Sequence, residues 1–109
     1  MRSEKLYRLV QIADAMFESE RAELARITAR EERLRDQLAQ LVSAKESVRP
    51  SIDGQPSAAK IARADVNWLR WIDQRREILN QELAQALAAK AIQQDKLRMA
   101  FGRQQATKG

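Results

Sequence analysis

The stretch LYRLVQIADAMFESERAELARITAREERLRDQLAQLVSAKESV, residues 6–48, decides the fold. Leu6, Val10, Ala13, Phe17, Glu20, Leu24, Ile27, Glu31, Leu34, Leu38, Leu41, Lys45 and Val48 follow one another at spacings that alternate between four and three. Ten of these thirteen are apolar, so the row is a buried stripe rather than a chance pattern. A stripe of period 3.5 held over this length specifies a left-handed coiled coil. Toward the C-terminus the row stops at RPSIDGQPS, residues 49–57, where Pro50, Gly54 and Pro56 break any helix. With Ser3 as an N-cap before it and Ser57 as a cap after the breakers, the chain reads as helices over about 4–48 and 58–103. Arms of equal length joined by one bend at 49–57 predict an all-α, antiparallel two-helix hairpin forming a single domain, 1–109.

The second arm carries its own seam in Ala62, Asp65, Leu69, Ile72, Arg76, Leu79, Leu83, Ala86, Lys90, Gln93, Leu97 and Ala100. Eight of these twelve are apolar, a weaker stripe than the first. A turn near Gly54 and Gln55 makes facing residue numbers add to about 110, which pairs Leu41 with Leu69, Leu38 with Ile72 and Ile27 with Leu83. It also sets Lys45 against Asp65 and Glu20 against Lys90, and opposite charges meeting twice in a seam argue for that register.

Composition narrows the function. With 32% charged and 5% aromatic residues among 109, the core is thin. The chain has no Cys and no His, which removes thiolate and imidazole metal sites, Cys or His nucleophiles and disulfides. No enzyme, cofactor or metal is therefore expected. MRSEKLYRLV lacks the apolar core of a signal peptide, and no run of about 18 apolar residues exists to span a bilayer, so a soluble, cytoplasmic protein with no transmembrane segment is expected.

Beyond the seam, the second arm repeats a further row one heptad apart: Ala64, Trp71, Ile78, Gln85, Ile92 and Met99. Ile61, Trp68 and Ala89 lie on the row beside it. A helix in a two-stranded hairpin needs only one buried stripe, so Trp68, Trp71, Ile78, Ile92 and Met99 are candidate partner-binding residues. Two readings stay open: a docking face for another protein, or the core of a homodimer in which two hairpins form a four-helix bundle. The heptad frame puts Trp68 at the flank of the seam and points Trp71 furthest from it.

The net charge is +5, and the first fifty residues hold ten Lys or Arg against nine acids while the rest hold ten against six. From Lys96 onward there are four cations and no acid. A hairpin brings both termini to one end, where Arg2, Lys5 and Arg8 would join Arg98, Arg103 and Lys108 as a basic tip for an acidic protein partner. The same tail allows a small nucleic-acid-binding protein, but no stacking platform or basic-region run supports one, and nucleic acid is not the expected partner. In REERLRD, residues 30–36, Glu31 and Glu32 look like a carboxylate pair. Without a pocket to shift a pKa, they read instead as intrahelical ion pairs with Arg35.

KLYRLVQIADAMFESERAELARITAREERLRDQLAQL, a short breaker region and WLRWIDQRREILNQELAQALAAKAIQQDKLRMAFGR together resemble the FliJ and YscO family of bacterial flagellar and type III export proteins. The resemblance covers nearly the whole chain and lies in architecture, arm length and Ala/Arg/Glu/Gln texture. It implies a rod similar to the central stalk of rotary ATPases, with its two helical ends seated in a hexameric export ATPase. It further implies reach toward the export gate and the escort of export chaperones.

Overall fold

Two long helices make up the computed structural model: α1, Arg2–Val48, and α2, Ala58–Lys108. Side chains are described for residues 2–47 and 65–109. The bend expected at 49–57, with its Ser57 cap, and the side chains of Val48, Ile61, Ala62 and Ala64 lie outside the described residues. No strand occurs among the described residues, and the fold is an all-α helical hairpin.

Both helices extend beyond their expected limits. α1 starts at Arg2, which places Ser3 inside the first turn instead of at the N-cap. α2 passes through Gly102 to Lys108. A mid-helix glycine costs only about 1 kcal/mol relative to alanine, and side-chain bonds beyond it offset that. Gln104 Nε2 donates to Asp14 Oδ1 at 2.8 Å, and Lys108 Nζ lies 3.4 Å from the same oxygen.

Contacts divide the chain into two units. The first is Met1–Glu31 with Gln85–Gly109, and the second is Glu32–Ala84. In each, a piece of α1 runs antiparallel to a piece of α2.

In the first unit Ala13, Ala86 and Ala100 are buried, with Val10, Phe17, Leu24, Ile27 and Leu97 part-buried beside them. Phe17 packs on Phe101 with ring centroids 5.9 Å apart. The seam of this unit also contains Glu20, Glu31, Lys90 and Gln93, and each of the four is bonded. Lys90 Nζ donates to Glu31 Oε1 at 2.8 Å, and Gln93 Nε2 donates to the Glu20 backbone oxygen at 2.9 Å and to its Oε2 at 3.1 Å. In the second unit Leu34, Ile72 and Leu79 are buried, the last two almost completely, and Lys45 Nζ donates to Asp73 Oδ1 at 3.1 Å.

These contacts correct the expected register. Residue numbers add to 118 at Lys45–Asp73, Asp14–Gln104 and Phe17–Phe101, with Glu20–Gln93 and Glu31–Lys90 on either side. Facing seam positions therefore add to about 117, one heptad from the expected 110. Lys45 meets Asp73 rather than Asp65, and Lys90 meets Glu31 rather than Glu20. Hydrophobic pattern is blind to a slip of seven residues, since each seam position lands on another. Polar matching decides it. The 110 register would set Glu31 against Leu79, leaving a carboxylate in an apolar layer, a cost the observed register avoids. Asp65, deprived of Lys45, has a buried Oδ2 with no hydrogen-bond partner.

Two other seam positions also depart from expectation. Leu6 is exposed because in this register it faces position 111, past the end of α2. Arg76 is exposed as well, and lines an open groove with Leu41, Val42, Lys45, Glu46 and Ile72. A long cationic side chain can occupy such a position, its stem against apolar neighbours and its charge toward water.

Candidate interaction surfaces

Trp68 and Trp71 lie on α2 in the second unit, where a spacing of three puts them on neighbouring rows of one helix face. The indoles stack on each other, with centroids 5.2 Å apart and planes 14° from parallel. Their exposures are close, 43% and 49%, so Trp71 does not point away alone as the heptad frame suggested. Even stacked, each tryptophan keeps close to half of its surface exposed. Together they line a groove with Gln37, Gln40, Leu41 and Ala44 of α1 and Arg75 and Leu79 of α2. Ile78, exposed at 46%, belongs to the same unit.

The first unit holds Ile92 and Met99, both well exposed, and the six basic candidates. Arg2, Lys5 and Arg8, with Glu4, line a groove on the first turns of α1. Arg98 is held by Asp95 on its own helix at 3.3 Å, and Lys108 by Asp14 across the seam. Arg2, Lys5, Arg8 and Arg103 form no ion pair among the described residues. All six basic candidates thus belong to one unit, where two of them are engaged in ion pairs and four have none among the described residues.

Asp14 anchors this end. Its carboxyl is held below its ordinary value of 3.8, first by the hydrogen bond from Gln104 and then by the Lys108 ammonium, with partial desolvation opposing both.

A second apolar surface in the first unit escaped the sequence reading. Leu9, Ile12 and Met16 are 52%, 57% and 44% exposed, and they form a groove with Ala13, Ala100, Arg103, Ala106 and Thr107. The signal was present in LYRLVQIADAM, where spacings of three and then four mark a row beside the seam. The stronger neighbouring row, Leu6, Val10, Ala13 and Phe17, masked it.

Among the described residues no group of His, Cys, Asp or Glu could hold a metal ion, and no described helix is long and apolar enough to cross a membrane. No family model matches this sequence, and neither a curated protein nor a solved structure matches it.

Proposed function

We propose that this chain is a non-enzymatic coiled-coil subunit of a bacterial flagellar or type III protein export apparatus, binding the hexameric export ATPase through its basic end. The observation that supports this reading best is the unpaired set Arg2, Lys5, Arg8 and Arg103, gathered from both helices into a unit with eleven Lys or Arg against seven Asp or Glu. Such an excess attracts an acidic protein surface and makes the association sensitive to salt. The paired carboxylates of REERLRD support a non-enzymatic reading, because Glu31 is bonded to Lys90 across the seam instead of facing a cleft. The half-exposed Trp68 and Trp71 supply a second contact for a gate component or chaperone.

Co-sedimentation with the hexameric export ATPase of the same organism tests the proposal. Binding is expected at low salt, weaker at high salt, and lost in the double variant Arg98→Glu, Arg103→Glu. Absence of binding at low salt, or ATPase activity indifferent to the double variant, overturns it.

A further inference from the structure

The groove between the start of α1 and the end of α2 has a shape and a charge that together specify its occupant. Its floor is Ala13 and Ala100, both buried and small, so an incoming main chain can approach closely. One wall is Leu9, Ile12 and Met16, three exposed side chains at helical spacing along the groove. A row of knobs spaced at three and four residues is complementary to another helix, whose own i, i+3, i+4 and i+7 side chains enter between them. An extended peptide would present side chains at a different period.

The opposite wall carries Arg103, free of any ion pair among the described residues. Lys96 stands one heptad back on the same row, and Lys5 and Arg8 lie just before Leu9. Of the acids in this unit all but Glu4, which lies among Arg2, Lys5 and Arg8 at the start of α1, are already in use. Glu18 is bonded to Arg21, Glu23 to Arg26, Asp95 to Arg98, Glu31 to Lys90, Asp14 to Gln104 and Lys108, and Glu20 to Gln93. A second copy of this chain would meet the patch with the same patch, since a two-fold interface is isologous. Each side of such an interface would bring the same excess of cations, Arg103 and Lys96, with no acid in the groove to meet them.

We infer that this groove seats an amphipathic helix from a protein partner, with an apolar ridge on Ala13 and Ala100 and Asp or Glu flanking that ridge against Arg103. The inference rests on the reading of the chain as a protein-binding subunit, and not on the export ATPase being the partner.

The test uses the full chain as bait for a displayed library of helical peptides about 20 residues long, with a fixed heptad ridge of Leu and randomised flanking positions. Recovered peptides are expected to carry Asp or Glu at the flanks. A synthetic copy of the best one should bind at least about tenfold more weakly to Arg103→Glu and to Met16→Lys, with Leu87→Lys, on an exposed position away from the groove, unaffected. Circular dichroism melts of each variant establish that it remains folded. Recovery of no binder, enrichment of neutral or basic flanks, or binding indifferent to both groove variants overturns the inference. So does a dimer in sedimentation equilibrium that Ile12→Lys dissociates, since the occupant is then a second copy. If peptides bind as expected and the export ATPase does not, this inference stands and the identity of the apparatus falls. If the ATPase binds and the selected peptide fails to compete, the reverse holds.

Discussion

The ammonium of Lys90 lies 2.8 Å from a carboxylate oxygen of Glu31, whose residue is only 9% exposed. A charge so placed is tolerated because it is paired, and removing Lys90 takes away the bond that crosses the seam. Lys90→Leu should therefore destabilise the protein by about 1–3 kcal/mol, while Glu31→Leu together with Lys90→Leu should recover most or all of that loss. Urea unfolding of the two single variants and the double variant gives the coupling directly. Additive effects, with the double variant as unstable as the two single losses taken together, would show that the pair contributes nothing to the seam.

The one-heptad correction can be read chemically. Leu38→Cys with Leu79→Cys places thiols at positions whose numbers add to 117, whereas Leu38→Cys with Ile72→Cys matches 110. Oxidation should link the first pair readily and the second poorly, since a disulfide needs Cα atoms within about 7 Å. Gel mobility of oxidised and reduced samples decides between them.

Gly102 sits in mid-helix with nothing within 4 Å of a Cβ built on it. Gly102→Ala gains helix propensity at no steric cost. A stabilisation of about 0.5–1 kcal/mol is expected, measured as a higher urea midpoint with an unchanged slope.

Asp14 sets a pH dependence at the end of α2. Its folded pKa is depressed, so its contribution is fully present above 3.8 and is lost as pH falls through the lower folded value. The protection of amides 104–108, measured against the intrinsic exchange rate at each pH, should fall on acidification below about pH 4, near the ordinary carboxylate pKa. In Asp14→Asn that fall should be absent, with these amides less protected than in wild type at neutral pH.

Most of the fold was legible in the sequence because one periodic row carries it. In the first arm, every described seam position except Leu6 is buried or part-buried, and in the second every one except Arg76. Register was not legible from apolar pattern, because sliding by seven residues preserves that pattern. The polar seam residues separate the two registers, since 117 gives Glu31 the Lys90 ammonium at the cost of leaving Asp65 Oδ2 without a hydrogen bond. The candidate surfaces divided in a similar way. Heptad position placed Trp68, Trp71, Ile78, Ile92 and Met99 outside the seam, and all are exposed. What heptad position could not give was the contact between the two indoles, which depends on rotamers. Leu9, Ile12 and Met16 were missed because a groove needs two walls, and the second, with Arg103 and Ala106, lies some ninety residues along the chain.

The stacked indoles also have an optical consequence. The two tryptophans of the chain both belong to the second unit, and the one tyrosine, Tyr7, belongs to the first. Excitation at the red edge therefore reports on Glu32–Ala84 alone, and parallel rings 5.2 Å apart should add an exciton couplet to the near-ultraviolet spectrum. Loss of that couplet on heating marks the melting of one unit, and a change in Tyr7 absorbance marks the other. The native sequence thus carries separate spectroscopic labels for its two halves.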